Sequence, residues 1–342
     1  MKSKKIDTKE LFFSRTWDFL NEYMPNRLNR SRDTIESYRD SLSAFRHFVT
    51  DEYRKSLKEF RFCDCTRDCI FDFRDYLKKR GNAPSTVNVR VTAIHSYLAY
   101  AAEDDVSLQS LSIMVSSIPP LKDTKREKVV ISTDGLAAML DAPAQSKIGM
   151  RDRAFMILLY DSAVRLNEIL SLRLKDVFLN GEYPCILLHG KGNKERRAII
   201  DPKTAQHIRN YMQIYHPQPN QDDYLFYTKI KGMTGKMSHG NGQRIVNKYA
   251  SMARVQGIDL PEKVHPHMFR RTKATLLYQN GVPLEMVSTL LGHSQLETTK
   301  IYARPSEAQL KEAMDKVSSP ASEEKPIWTN DEETLAKLAG LR

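Results

Sequence analysis

Cysteine is scarce in this 342-residue chain: four residues, three of them close together as Cys63, Cys65 and Cys69, with Cys185 far away. That usage fits a reducing compartment, and no second ligand pair stands at zinc spacing. Cys69 is therefore expected in a core, on a helix with Ile70, Phe73 and Leu77. No apolar run approaches the roughly 18 residues of a membrane span, and the opening MKSKKIDTKE lacks an apolar signal-peptide core, so the expected location is the cytoplasm. Acidic residues are outnumbered, 42 against 53 basic ones, for a net charge of +11. An excess of that size favours a polyanionic partner. Low-complexity stretches and internal repeats are also missing.

What is present reads as two domains and a tail, mainly α with a small antiparallel β-sheet. Residues 1–117 read as helices only. In 33–49 the apolar Ile35, Tyr38, Leu42, Phe45 and Val49 recur at helical spacing behind an Asp33/Glu36 cap. Arg32, Arg39 and Arg46 form a stripe beside them that suits either phosphates or plain solvent. In 84–102, Val87, Val91, Ile94 and Leu98 repeat the pattern behind Pro84. The text SSIPPLKDTKREK places a linker at 118–129. The second domain, 130–317, is expected to hold helices near 151–161, 165–173, 243–254, 266–280, 283–291 and 295–303. Strands 184–189 and 195–200 flank the turn GKGNK, and Asp201-Pro202 opens a further helix. Residues 318–342 form an acidic tail with Glu323, Glu324, Asp331, Glu332 and Glu333. Within it, Asn330 can cap a short helix bearing Leu335, Leu338 and Leu341, too short to stand alone and so expected to dock.

Four stretches carry the chemistry. In SAVRLNEILSLRLKDV, Arg165 opens an apolar helix. In GKGNKERR, Lys191 sits between two glycines at a hairpin tip; the text does not match the phosphate loop GxxxxGK[ST], and a plain turn is the bland alternative. In HPHMFRRTKATLL, His267 and Arg270 are three apart near a helix start, where free N–H groups favour an anion. His265 with His267 suggests a metal pair, but no third ligand accompanies them. In LLGHSQLETTKIYA, Gly292 can end one helix, Ser294 and Glu297 can cap the next, and Tyr302 shares a face with Thr298 and Thr299. Taken alone, a tyrosine in this place is far more often a packing residue than a nucleophile.

Taken together they suit attack on a phosphodiester. Two arginines can neutralise the charge of a pentavalent transition state. A tyrosine, with an ordinary pKa of about 10, needs such surroundings or a base in order to attack at neutral pH. His267 can take that proton, His293 can hold the phosphate, and Lys191 can protonate the leaving sugar oxygen. No cofactor or metal is required by this set.

R-x-x-E at 165–168, GKGNKER at 190–196, HPHMFRR at 265–271 and LLGHSQLETTKIYA at 290–303 resemble the tyrosine recombinase, or phage-integrase, family, across residues 10 to 316. The resemblance implies Arg165, Lys191, His267, Arg270 and His293 as the activating set and Tyr302 as the nucleophile. It also implies a helical first domain that clamps DNA opposite the catalytic one. Position 271 is Arg where many relatives have His, which touches no proposed catalytic role. The implied activity is cleavage and rejoining of double-stranded DNA at recombination sites through a 3′-phosphotyrosine, for integration, excision or inversion of an element, with a homotetramer as the working form. The tail beyond 317 matches nothing in this pattern; on the docking argument alone it either folds back on its own domain or links neighbouring protomers. Only about ten residues precede the first domain, so a compact recombinase without an arm-binding domain is expected. The readings it must beat are a type IB topoisomerase, a DNA-binding regulator without chemistry, and a metal-dependent nuclease built on the HPH pair.

Overall fold

The structure is a computed structural model that describes residues 8–122, 129–189, 195–292, 297–303, 305–316 and 332–341. The chain divides into two compact units, Met1–Glu127 and Lys128–Arg342. Among the described residues, no helix is long and apolar enough to cross a membrane.

The first unit is helical throughout its regular elements. A single turn, α1 (Thr16–Asp18), runs into a π-helical segment, Phe19–Arg27, that contains Pro25. Then come α2 (Arg32–Asp51), α3 (Arg67–Lys79), α4 (Pro84–Asp104) and α5 (Gln109–Ser116). The cap of α2 is Ser31, whose hydroxyl accepts from the Thr34 N–H, two residues before the expected Asp33. Thr66 caps α3 by accepting from Cys69 N–H at 3.2 Å, and Cys69, Ile70, Phe73 and Leu77 are wholly buried beneath it. Phe12 sits at the centre, its ring 5.2 Å from Phe45, 5.6 Å from Phe60 and 5.3 Å from Tyr97. Tilted and edge-on contacts at these distances add to the area such rings remove from water.

The second unit opens with α6 (Thr133–Asp141), α7 (Lys147–Asp161) and α8 (Leu166–Ser171). Three antiparallel strands follow in spatial order, β1 (Val177–Phe178), β2 (Cys185–His189) and β3 (Glu195–Ile199). Register pairs Ile186 with Ala198 and closes on His189 opposite Glu195. Next are α9 (Pro202–Tyr215), a second hairpin of β4 (Tyr227–Ile230) and β5 (Met233–Lys236), α10 (His239–Val255), α11 (Pro266–Gln279), α12 (Leu284–Leu291), α13 (Glu297–Lys300), α14 (Glu307–Lys316) and α15 (Glu332–Leu338). One core joins α6 to α11 through residues such as Phe155, Leu159, Ile169, Ile186, Ile208, Phe226, Val246 and Phe269. A satellite cluster of Ala163, Ala274, Val287, Leu291 and Tyr302 lies beside it.

Two expectations change. The helix expected over 295–303 spans only Glu297–Lys300 among the described residues, and Tyr302 follows it in a turn, its N–H donating to the Thr299 carbonyl. Thr299 and Tyr302 are buried rather than set on a polar face, because the tyrosine ring is drawn onto the satellite cluster. The Ser294 cap and the Asn330 cap lie outside the described residues.

Candidate active site

Arg165 is the residue from which α8 starts. Its backbone N–H donates to Glu168 Oε2 at 2.7 Å, and its Nη1 reaches Oε1 of the same carboxylate at 3.1 Å. A carboxylate three residues into a helix finds its own orphan N–H groups, so R-x-x-E is a cap as well as a motif. The guanidinium remains 45% exposed, which leaves it a solvent-facing cation at the mouth of the helix.

Arg270 is the opposite case. It lies one turn into α11 and is only 2% exposed. Nη1 donates to the Ala163 carbonyl and Nη2 to the Leu291 carbonyl, each at 2.8 Å. Ala163 has φ +49°, a left-handed conformation costly for any residue with a Cβ, and the bond to Arg270 is one of the contacts that hold it there. Burial, and then the charge of Arg165, lower the pKa of Arg270 to about 10, while Tyr302 and Glu168 act against that shift. It stays cationic at neutral pH. Arg165, Arg196, Glu168 and Tyr302 are thus all near enough to be felt by one buried guanidinium.

Tyr302 completes this group from the far end of the chain. Its ring packs with Ala163, Ala274, Val287 and Leu291, and is 9% exposed. The apolar body fixes the ring, and the phenolic oxygen is the one polar atom it carries to the cationic side. His267, in the first turn of α11, opens to solvent on one side. Burial of its inner edge, with Arg270, His265 and Arg165 adding to it, holds its pKa below the ordinary value. It is accordingly neutral at pH 7 and able to accept a proton. His265 precedes it as the N-cap residue, with ring centroids 6.5 Å apart.

The structure therefore brings Arg165, Arg270 and Tyr302 into one cluster and sets His267 on the helix that carries Arg270. Lys191 and His293 lie outside the described residues, though the segments on either side of them are placed. His189, at the end of β2, bonds to Asp176 Oδ1 at 3.0 Å and to Glu195 Oε1 at 3.1 Å, which ties the base of the hairpin. Its pKa is raised, first by the bond to Asp176. Gly292 ends α12 at φ +65°, as its place in the sequence suggested.

Sequence reasoning gave no role to Glu168, Arg196 or Ala163. Arg196 had a readable signal: on a strand with period two it shares the inward side with buried Ala198. Lys273 and Asp161 were missed too. They pair at 3.1 Å, and Asp161 also accepts the Asp201 N–H at 2.6 Å, linking α7, α11 and the start of α9.

Comparison with known proteins bears on the fold and the family. The profile described as "Phage integrase family" matches residues 130–309, and "Phage integrase SAM-like domain" matches residues 16–112. The "Putative integrase/recombinase y4rC" of Sinorhizobium fredii is 32% identical over 326 residues, 94% of this chain and 96% of its own length. "Tyrosine recombinase XerC" of Staphylococcus carnosus is 28% identical over 282 residues, 82% and 89% of the two chains. A crystal structure of the XerH site-specific recombinase bound to its difH substrate aligns with a TM-score of 0.64 at 21% identity, covering 85% of this chain and 81% of that one. The fold and these matches define a tyrosine-type DNA strand-exchange enzyme. The chain belongs to the phage integrase family.

Proposed function

We propose that the protein is a site-specific recombinase whose Tyr302 attacks a DNA phosphate. The phenolic oxygen bonds to phosphorus, the bond to the 5′ oxygen breaks, and a 3′-phosphotyrosine and a 5′-hydroxyl result. His267 takes the phenolic proton, and Lys191 returns one to the departing oxygen. Arg165, Arg270 and His293 hold the non-bridging oxygens as charge builds on them. A 5′-hydroxyl from a second duplex then reverses the step, and the phosphotyrosine conserves the bond so that no nucleotide is consumed. Double-stranded recombination sites are the substrate, and their phosphates make binding strongly salt-dependent. Exchange between two duplexes needs four such tyrosines, so a homotetramer is the working form, integrating, excising or inverting a DNA element.

The observation that carries this reading is Tyr302 packed on Ala163 beside a buried Arg270 that bonds to that same residue. The test is a labelled, nicked suicide duplex, drawn from the DNA flanking the gene or from a pooled genomic library, incubated in EDTA with wild-type and Tyr302→Phe protein. A band that survives denaturation and is lost in the variant is the expected result. Equal capture by both proteins, or none across the library, would sink the proposal. A type IB topoisomerase would instead relax supercoils without a preferred site.

A further inference from the structure

We infer that Arg196 is a positioning residue for strand transfer: its guanidinium locks strand β3, the carboxylate that holds Arg165, and the end of α12 into one register. This deepens the recombinase reading and rests on it. Arg196 Nη2 donates to Glu168 Oε2 at 3.0 Å, the same oxygen that receives the Arg165 N–H. Its Nη1 donates to the Leu290 carbonyl at 3.1 Å, in the last turn of α12. The side chain is 22% exposed, and its two terminal nitrogens already have protein acceptors.

Gly292 supplies a separate observation. A Cβ built there would fall 2.5 Å from Arg196 Nε and 2.7 Å from its Cδ. The chain leaving α12 crosses the guanidinium so closely that any side chain there would displace Arg196, and the same residue takes φ +65°. Three segments therefore converge on one planar fork. Strand β3 leads out of residues 190–194, where Lys191 lies; α8 begins with Arg165; and α12 leads into His293. A rigid fork fixes two acceptors relative to each other, which an ammonium on a flexible stem does not. Through it, any drift of the strand or the helix end is transmitted to the carboxylate beneath Arg165.

The experiment uses the full chain carrying Arg196→Gln, Arg196→Lys or Gly292→Ala. In the first arm, hydrogen exchange is followed by mass spectrometry without DNA. Faster exchange in 185–189, 195–199 and 284–292, with no change in 32–51 or 84–104, is expected for Arg196→Gln and Gly292→Ala. In the second arm, single-turnover cleavage is measured on a nicked duplex that the wild type captures. The rate at saturating duplex is expected to fall on the order of 10²-fold with affinity unchanged, the scale of a 1 Å misplacement. Arg196→Lys should recover only part of it, and Gly292→Ala should add little on top of Arg196→Gln. Wild-type exchange, full recovery by lysine, or a loss confined to affinity would each overturn the proposal. The last would make Arg196 a DNA contact. A wild type that captures no duplex overturns the recombinase reading and the catalytic half of this one, while the exchange arm still decides whether the lock exists.

Discussion

The two units are held together in different ways. The first is closed by rings, with Phe12, Phe19, Phe45, Phe48, Phe60 and Phe73 wholly buried; its buried polar or charged side chains, among the described residues, are Ser41 and Arg74. The second buries Asp152, Asp176, His216, Arg270, Thr272, Thr275 and Thr299 as well as its apolar core. Aromatic packing needs area and shape, whereas a buried guanidinium needs each acceptor in place. The second unit, with more of these groups, thus depends on polar register more heavily than the first, where Arg74 and its bond to the Pro119 carbonyl are the charged exception.

The largest test of that contrast is Tyr302→Phe, which should remove covalent capture of DNA altogether while leaving thermal stability and DNA affinity unchanged. Phe12→Ala should cost about 3–5 kcal/mol of stability in denaturant melts. Its effect on capture should track only the loss of folded protein. Arg270→Lys should abolish cleavage, and should also lower stability by about 1–3 kcal/mol, because a flexible ammonium lacks the planar fork that places one nitrogen at the Ala163 carbonyl and another at that of Leu291. If that variant melts like the wild type, polar register is not what holds the second unit.

The pH profile sharpens the contrast further. The pKa of His267 lies below its unfolded value of about 6.5. The unfolded chain therefore binds more protons as pH falls through 6.5, and this histidine's contribution to stability is present above 6.5 and lost below it. Cleavage should hold steady down to pH 6.5 and decline below it, and His267→Gln should flatten that limb. His265, also lowered by burial, shares the window, so His265→Asn should leave the limb in place if the assignment to His267 is right. The smallest effect expected is Thr66→Ala, which removes the cap of α3 for about 1 kcal/mol in a denaturant melt and leaves cleavage unchanged.

Much of the fold was legible because its helices are strongly periodic and punctuated. Pro266 marks the start of α11, Gly292 marks the end of α12, and Asp201-Pro202 opens α9, each for a reason local to the chain. The hairpin Tyr227–Lys236 was not read, since YTKIKGMTGK has lysines and glycines where a strand pattern needs apolar alternation. Strand β1 is two residues long and exists by pairing with Cys185 and Ile186, which no local signal announces. The π-helical Phe19–Arg27 carries a proline inside it, a setting in which periodicity reads as a break. In the site, the residue types were visible from their motifs. The contacts through Ala163 and Arg196 were not, because they depend on which carbonyl a guanidinium meets across a hundred residues.

That distance has a consequence for how such an enzyme is made. Arg270 bonds across 107 residues in one direction and 21 in the other, and Tyr302 joins the cluster from still later in the chain. Contacts of such long range must repay a large loop-closure entropy, which slows folding. A chain cut short before Tyr302 keeps Arg165, Arg196 and Arg270 and has no proposed nucleophile. On the mechanism proposed above, such a fragment is expected to lack cleavage, so that cutting waits for the end of the chain.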